Sequence, residues 1–408
     1  MIVVAVEALT FGLGRLAAAA RSRDCTLQLL TRDRSVYRYE LDRLNDQDVV
    51  LVEVDTFDAT AVREVLTSVS GLGGVINSTD TWTMIASRLA EDLGLPHQNP
   101  ESLAVVRDKA KLRNRLYDAR LSSGGAYDFV PAETTAEELA ARLSFPAIIK
   151  DVAGTSSRNV WLARSPEQLT AILDVATHAD LIGDRVTAEP YFTGPVLSLE
   201  TLTWEGQTRL LGVTSRVMSS EPNFREEAAS LPVALPEDQS AELAAWIARV
   251  LATVDYDRGF AHTEIVVTKD GYEVIEINPR LGGALVGESL CRALDTNIYT
   301  AYIDMALGRR PELMDRRPQV VRGVAQALLY ASEPGVITAV EGLDALAQHP
   351  GEIEFLPVKT VGETISSVAD QRGCVGILMA TAPTSEVALL TALSAIGKLR
   401  VRTSAAEA

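Results

Sequence analysis

Cysteine is scarce in this sequence of 408 residues, and histidine is nearly as rare. The three cysteines, Cys25, Cys291 and Cys374, form neither a CxxC pair nor a disulfide framework, and we therefore expect a reducing, cytoplasmic location. The four histidines lie too far apart in the sequence to predict a zinc site.

The sequence also lacks an excess of positive charge and any long hydrophobic run. A net charge of −17 gives no general affinity for phosphate backbones or anionic lipids, so we expect neither a nucleic acid nor a membrane as partner. No apolar stretch reaches the length of a membrane span, and residues 1–7 lack the basic region of a signal peptide. The sequence does contain 47% apolar residues, which is enough for a large core in two or three structural units.

The N-terminal part of the sequence alternates short apolar runs with amphipathic ones. Residues 2–6 and 25–30 are predicted strands, and residues 11–21 between them are a predicted helix. Strands separated by helices are typical of a parallel sheet covered by helices. The pair Gly12 and Gly14 is too small a part of a dinucleotide fingerprint to predict an NAD site.

A loop of small and polar residues follows the predicted strand at residues 145–150. This strand ends in Lys150, and the loop contains Gly154, Ser156 and Ser157. Small residues let backbone N–H groups approach a phosphate, serine hydroxyls add donors, and the lysine adds a point charge. A phosphate-binding loop and an ordinary flexible hairpin loop explain this segment equally well.

The strongest signal for chemistry lies in the predicted hairpin of residues 259–280. Because strand side chains alternate between faces, Glu276, Asn278 and Arg280 share one face. If Glu264 lies opposite Glu276, the two like charges require neutralisation. Mg²⁺ would supply it, because this ion prefers one or two protein carboxylates together with nucleotide phosphates.

The turn decides the register of this hairpin. A two-residue turn mixes charged and apolar side chains on both faces. A three-residue turn at residues 269–271 sets Glu264 opposite Glu276 and groups Ile275 with Ile277 on the other face. Because register follows the buried face, we predict the three-residue turn.

An alternative interpretation of the hairpin is a solvent-facing polar strand. It accounts well for Glu273 and Lys269, but less well for a Glu-x-Asn-x-Arg pattern beside apolar residues. His262 lies two residues before Glu264 on the same face. We interpret it as a packed core histidine, with a supporting donor to the carboxylate as the alternative.

Taken in order, these residues resemble the ATP-grasp superfamily, and within it the L-amino-acid ligases that make dipeptides. The likeness covers residues 101–310 and rests on Asn99-Pro100, Asp108-Lys109, the Lys150 loop, Glu189 to Gly194, Gly259 to Glu264 and Ile275 to Gly283. The resemblance implies an ATP-grasp fold of mixed α/β and α+β class. The implied domains are a Rossmann-like domain at 1–100, a core at 101–310 with a small mobile lobe at about 115–187, and a C-terminal α+β lobe at 311–408.

The resemblance also implies ATP and Mg²⁺ as cofactors, with two magnesium ions expected and Mn²⁺ as an alternative. Contacts with ATP are implied for Lys109, Lys150, Ser156, Ser157, Glu189, Pro190, Tyr191 and Phe192. Glu200 is a candidate ribose contact, because Val196 stands where the family usually has a glutamate. Metal ligation is implied for Glu264, Glu276 and Asn278.

Further implied roles concern the transfer chemistry and the substrates. Arg280 would hold the acyl phosphate and the tetrahedral intermediate, and Arg216 would bind phosphate. Glu226 falls where such ligases hold an amino-acid ammonium group. Gly282 and Gly283 would let the backbone approach the substrate.

We therefore predict an ATP-dependent carboxylate–amine ligase that forms an amide, such as a dipeptide, through an acyl phosphate and releases ADP and phosphate. Amino acids are the expected substrates, with either an α-carboxylate or a side-chain carboxylate activated, and a homodimer is the expected assembly. Two alternatives stay open. One is another ATP-grasp enzyme, such as a biotin-carboxylase-like or purine-pathway ligase, and the other is a degenerate nucleotide-binding protein.

Overall fold

The N-terminal part of the chain is a parallel sheet covered by helices, as its alternating runs predict. The structure is a computed structural model that describes residues 1–45, 47–316 and 318–405. The first elements are β1 (Ile2–Val6), α1 (Leu13–Arg21), β2 (Thr26–Thr31), α2 (Arg38–Leu41), β3 (Val49–Glu53), α3 (Ala59–Ser68), β4 (Leu72–Ile76) and α4 (Thr83–Asp92). The strands pair in the order β3-β2-β1-β4, all parallel. Helices cover both faces of β1, which is why its sequence is a continuous apolar run.

The turn before α1 explains the pair Gly12 and Gly14. Both backbone N–H groups donate to the carboxylate of Glu40, each over 2.6 Å. A protein carboxylate therefore already occupies the end of α1 that favours anions. A Cβ atom on Gly12 would overlap the hydroxyl of Tyr299, so the close packing at this turn requires glycine.

A small antiparallel sheet follows, in a segment that also contains four helices. Its segment contains α5 (Pro100–Val106), α6 (Lys109–Asp118), β5 (Tyr127–Phe129), α7 (Ala136–Ala140), β6 (Ala147–Asp151), β7 (Val160–Ala163), α8 (Pro166–His178) and β8 (Val186–Pro190). The strands pair in the order β5-β8-β6-β7. Leu169 and Leu173 of α8 pack on Ile149 of β6, which gives this sheet its own apolar core.

The remaining elements build one large antiparallel sheet and a smaller one. They are β9 (Val196–Trp204), β10 (Gln207–Met218), β11 (Glu226–Leu231), α9 (Glu237–Thr253), β12 (Arg258–Thr268), β13 (Gly271–Asn278), α10 (Val286–Leu294), α11 (Thr300–Ala306), β14 (Gly323–Tyr330), β15 (Gly335–Glu341), α12 (Leu343–Leu346), β16 (Glu352–Pro357), β17 (Thr364–Ile365), β18 (Cys374–Ala382), α13 (Ser385–Ile396) and β19 (Arg400–Ser404). The large sheet has the order β13-β12-β9-β10-β11-β14-β18-β16, and the small one β17-β15-β19. Short 3₁₀ turns occur at Arg34–Tyr37, Pro131–Glu133, Glu312–Met314 and Gln371–Gly373.

The large sheet joins segments that lie far apart in the sequence. Strand β11 pairs with β14, so the large sheet contains strands from both sides of the predicted domain boundary at residue 310. Leu243, Ile247 and Val250 of α9 form the apolar stripe that covers one face of this sheet. Within the described ranges, none of the helices is both long and apolar enough to cross a membrane.

Candidate active site

Two adjoining cavities lie between the small sheet, the large sheet and the C-terminal part of the chain. The hinge cavity has a volume of about 450 Å³ and is bordered by residues 189–192, which connect the small sheet to the large one. The inner cavity has a volume of about 360 Å³ and lies beneath the N-terminal loops. Six residues border both cavities, and we call them the junction: Thr155, Ser156, Arg216, Glu264, Glu276 and Gln371.

Two lysines reach the hinge cavity from different elements. Lys109, at the start of α6, donates from Nζ to the carbonyl oxygen of Gly154 over 2.6 Å and lies 3.2 Å from Glu276 Oε2. Lys150 ends β6, donates to the carbonyl oxygen of Ile275 over 3.2 Å and forms an ion pair with Glu189. Burial lowers the pKa of Lys150, although the Glu189 carboxylate opposes this shift. Both lysines border the hinge cavity, and their contact with ATP phosphates stays a prediction.

Pro190, Tyr191 and Phe192 join the two sheets and border the hinge cavity, and the contacts with ATP that the resemblance implies for them stay predictions. The hydroxyl of Tyr191 donates to Glu221 over 2.6 Å. Glu189 also borders the cavity, but its carboxylate is already held by Lys150 and Arg113. Its role as a contact for adenine therefore remains a prediction.

A buried ion network that the sequence did not predict lies beside the hinge. Arg113 Nε lies 3.2 Å from Glu189, and its Nη1 lies 3.5 Å from Glu273. Glu273 accepts from the hydroxyl of Ser122 over 2.9 Å and is 6% exposed, so its interpretation as a solvent-facing residue was wrong. The sequence offers one indication of this role for Arg113. It lies four residues after Lys109 and therefore on the same, buried face of α6.

The phosphate loop, residues 151–159, adopts an unusual backbone conformation. Ser156, Ser157 and Asn159 have positive φ angles of 60°, 58° and 54°. Asp151 fixes the start of the loop by accepting from the N–H groups of Ala153 over 3.0 Å and Ile182 over 2.9 Å. Both serines border the hinge cavity, which fits their predicted phosphate contacts.

The hairpin of β12 and β13 brings the two predicted metal carboxylates together. Glu264 lies opposite Glu276, which confirms the predicted pairing. The predicted three-residue turn was wrong, because Thr268 pairs with Gly271 across a two-residue loop and a bulge at Ile275 restores the register. The bulge also turns Ile275 toward the hinge cavity, whereas Ile277 stays in the core.

The donor set around these carboxylates fits Mg²⁺ held partly by phosphate. Burial opposes ionisation of Glu276, but Lys109 and a hydrogen bond from Asn278 keep its pKa well below the ordinary range. The Asn278 amide nitrogen donates to Glu276 over 2.9 Å, which leaves the amide oxygen as its ligand atom. Nowhere in the described ranges do three or more acidic, histidine or cysteine side chains converge on one metal position. A cation here therefore needs phosphate oxygens or water to complete its shell, which is the arrangement that Mg²⁺ prefers.

His262 belongs to the polar cluster behind this pair, so its interpretation as a packed core histidine was wrong. Its Nδ1 atom lies 2.5 Å from Glu200 Oε1, and its Nε2 atom lies 3.3 Å from Glu264 Oε1. Burial works against protonation, but the charge of Glu200 and these hydrogen bonds raise the pKa of His262 to about 9. The histidine is therefore a cation that supports Glu264.

Two predicted contacts point away from the cavities. Glu200 is fully buried, binds His262 and accepts from the N–H of Gly282 over 3.3 Å, and its contact with ribose stays a prediction. A Cβ atom on Gly282 would lie 2.7 Å from His262 Nδ1. Gly282 therefore serves this internal packing rather than the predicted approach to substrate, whereas Gly283 does border the inner cavity.

Arg280 borders the inner cavity and is anchored by the N-terminal part of the chain. Its Nε atom donates to Asp80 Oδ2 over 2.8 Å, and its Nη1 atom donates to the carbonyl oxygen of Leu281 over 2.7 Å. Arg107 lies 3.7 Å from the other oxygen of Asp80 and donates to the carbonyl oxygen of Ala153 in the phosphate loop. Asp80 thus links the predicted catalytic arginine to the root of the phosphate loop, a role that no sequence signal marked.

Arg216 and Glu226 form a buried pair between the junction and the inner cavity. Arg216 Nη2 lies 2.7 Å from Glu226 Oε2, and its Nη1 lies 3.2 Å from Glu264. Gln326 donates to the other oxygen of Glu226 over 3.3 Å. Burial raises the pKa of Glu226, and Arg216 opposes this shift. The predicted phosphate and ammonium ligands are therefore adjacent to each other.

Two family models match the chain. The model for the ATP-grasp domain matches residues 143–288, and the model for the L-amino acid ligase C-terminal domain 2 matches residues 327–404. The crystal structure of the L-amino acid ligase from Bacillus licheniformis superposes with a TM-score of 0.81 at 19% identity, covering 99% of this chain and 98% of that chain. At this identity the likeness establishes the fold.

Curated relatives match most of the chain at low identity. An uncharacterised protein of Sinorhizobium fredii is 25% identical over 343 residues, which cover 81% of this chain and 70% of that protein. Carnosine synthase 1 of Gallus gallus is 26% identical over 304 residues, which cover 68% of this chain and 32% of that protein. The matched region therefore spans only about a third of the length of that synthase.

The fold is that of an ATP-grasp ligase: residues 143–288 match the ATP-grasp domain model, and the L-amino acid ligase structure superposes over 99% of the chain. Residues 327–404 match the second C-terminal domain of the L-amino acid ligases, so the similarity to that group extends beyond the ATP-grasp domain. The predicted mixed α/β architecture with an N-terminal parallel sheet is confirmed.

Proposed function

We propose that this chain is an ATP-dependent ligase that joins the carboxylate of one amino acid to the amine of a second through an acyl phosphate. The observation that carries the proposal is the junction, where a cavity bordered by two lysines meets a cavity bordered by Arg280 and Glu226. A phosphoryl donor in the hinge cavity and a carboxylate in the inner cavity would meet between Glu264 and Glu276.

The chemistry requires positioning and neutralisation of charge more than a protein nucleophile. The γ-phosphorus bonds to a carboxylate oxygen while its bond to the oxygen bridging to the β-phosphate breaks, and ADP leaves. The amine nitrogen then bonds to the acyl carbon, the bond from carbon to phosphate oxygen breaks, and a proton leaves the nitrogen. Arg280 is the proposed support for the oxyanion of this second step, because it is a fixed cation on the wall of the inner cavity.

Each remaining residue has a binding role in this proposal. Lys109 and Lys150 bind the phosphates, and the backbone of Ser156 and Ser157 covers them. Glu226 binds the ammonium group of an amino acid. Glu264, Glu276 and Asn278 would hold Mg²⁺, which neutralises charge on the transferred phosphoryl group when it is bound.

The test is phosphate release from ATP and MgCl₂ across a matrix of paired amino acids, with products identified by mass. We expect release that needs two amino acids together and yields a condensed product. Equal release with a single amino acid, or with none, and no condensed product would contradict the proposal.

Carboxylation is the alternative to separate by the same assay. A carboxylase would release phosphate in response to bicarbonate and need no second amino acid. The match to an L-amino acid ligase domain over residues 327–404 favours amide formation, because this segment supplies Gln371 and Ile377 to the cavity walls. Release that depends on bicarbonate alone would overturn this preference.

A further inference from the structure

The junction residue Gln371 has no role in the reaction described so far. The other five come from the phosphate loop and the large sheet, whereas Gln371 comes from the C-terminal part of the chain. It begins the 3₁₀ turn Gln371–Gly373, which we call the roof turn. Gln371 borders both cavities, so this residue lies at the point where a phosphoryl group would pass between them.

A backbone hydrogen bond fixes the roof turn to the phosphate loop. The N–H of Gln371 donates to the carbonyl oxygen of Ser156 over 3.2 Å. Asp370 closes the turn by accepting from the N–H of Arg372 over 3.0 Å. A Cβ atom on Gly373 would overlap the carbonyl oxygen of Ser367, so the turn is tightly folded. The position of Gln371 is therefore set by backbone contacts and does not depend on its own amide group.

The segment just before the roof turn is attached to the large sheet. Arg225 donates to the carbonyl oxygen of Val368 and pairs with Glu227 over 2.6 Å. The same guanidinium lies 3.9 Å from the ring centroid of Tyr330. The roof turn is thus held from two sides, by the phosphate loop and by Arg225, which directly precedes the strand that carries Glu226.

We propose that the Gln371 amide contacts the transferred phosphoryl group and closes the junction against water. This inference rests on the proposed function. A glutamine suits the position because its amide NH₂ donates to a phosphoryl oxygen without placing another negative charge beside Glu264 and Glu276. If water enters, its oxygen bonds to the acyl carbon, the bond from carbon to phosphate oxygen breaks, and a proton is released. The carboxylate is then regenerated, and ATP is consumed without product.

The test compares Gln371→Ala and Gln371→Glu with the wild type in a mixture of the standard L-amino acids, ATP and MgCl₂. We expect product formation to fall by about tenfold or more in both variants, the loss typical of a hydrogen bond to a charged group. We also expect more phosphate released per product in Gln371→Ala. Affinity for ADP, measured by calorimetry with MgCl₂, should stay unchanged in Gln371→Ala, because ADP lacks the transferred phosphoryl group and the backbone bond to Ser156 remains.

The matched control is Gln348→Ala, an exposed glutamine in the same part of the chain, which should behave as the wild type. Wild-type ratios of phosphate to product in both Gln371 variants would overturn the inference while leaving the proposed function intact. If Gln371→Ala does not fold, the nearly isosteric Gln371→Glu decides alone: wild-type product formation in this variant would overturn the inference. A wild type that forms no condensed product would overturn the proposed function, and this inference with it.

Discussion

Glu264 and Glu276 face each other across the hairpin, and a different cation accompanies each of them. Arg216 lies 3.2 Å from Glu264, and Lys109 lies 3.2 Å from Glu276. Burial alone would favour the neutral acids, but these cations lower the pKa of both carboxyl groups. Two like charges can therefore stay ionised side by side, which is the state a magnesium ion needs.

The variant Glu276→Gln tests this pair. The substitution keeps the shape of the side chain but removes one negative charge from the proposed metal position. We expect the apparent affinity for Mg²⁺ to fall by about tenfold or more, since even changes to outer partners of a metal cost that much. The measurement is phosphate release titrated with MgCl₂, with the exposed Glu352→Gln as control. Unchanged dependence on MgCl₂ would remove Glu276 from the site.

His262 provides a separate prediction about stability. Replacing it with alanine leaves Glu200 fully buried without its cation. We expect His262→Ala to lose about 3 kcal/mol or more of unfolding free energy, because breaking a buried ion pair strands the remaining charge. Urea unfolding of the protein without nucleotide measures this loss, and His178→Ala, at an exposed histidine, serves as control. Equal unfolding midpoints for the two variants would show that Glu200 does not depend on the histidine.

Site residues that recur in a local pattern could be predicted, whereas those defined by distant partners could not. Lys150, Glu264 and Glu276 each follow from an apolar run with polar residues at fixed spacing. Asp80 and Gln371 reach the cavities from loops that show no such spacing, and only the fold brings them there. Their chemistry is decided by tertiary contacts and therefore carries no local sequence signal.

At the scale of elements, the predicted pairing of Glu264 with Glu276 in the hairpin is confirmed, but the turn from which it was predicted is wrong. The predicted turn and the observed bulge each insert one extra residue, so both set Glu264 opposite Glu276. The bulge differs in its effect on the backbone, because Lys150 donates to the freed carbonyl of Ile275. Alternation of apolar residues fixes the register across a hairpin but not the point at which the extra residue enters.

The phosphate loop gives a prediction about backbone conformation. Ser157 has a φ of 58°, a left-handed conformation that costs most residues about 1–2 kcal/mol. We expect Ser157→Gly to bind AMP-PNP as well as the wild type does, and Ser157→Val to bind it about tenfold more weakly, because branching at Cβ opposes this conformation. Calorimetry with MgCl₂ measures both. Ser157→Ala separates the causes, since weaker binding by both the glycine and alanine variants would assign the effect to the hydroxyl instead.

At the scale of the whole molecule, the site needs contributions from distant parts of the chain. The N-terminal part supplies Asp80, the small sheet supplies Lys150, and the C-terminal part supplies Gln371. The alternation of apolar and amphipathic runs predicted the N-terminal sheet, but no local sequence pattern predicted that β11 would pair with β14. Such pairing depends on contacts between segments about a hundred residues apart, which short-range patterns do not encode.

This arrangement predicts that the small sheet must move away from the large one for nucleotide to exchange. Arg164 on the small sheet forms an ion pair with Glu221 beside the hinge cavity, and both side chains are partly exposed. We expect Arg164→Cys with Glu221→Cys, joined by a reducible bismaleimide, to stop multiple turnover and to recover it on reduction. The reagent should spare the native cysteines, which are all buried.

Each single cysteine variant treated with the same reagent is the control and should retain turnover, because one attached group cannot join the two sides. Phosphate release in excess of the enzyme, assayed with the standard L-amino acids, ATP and MgCl₂, measures the effect. If the cross-linked double variant turns over at the wild-type rate, nucleotide enters and leaves without separation of the sheets. The cavity would then open by another route, such as movement of the phosphate loop alone.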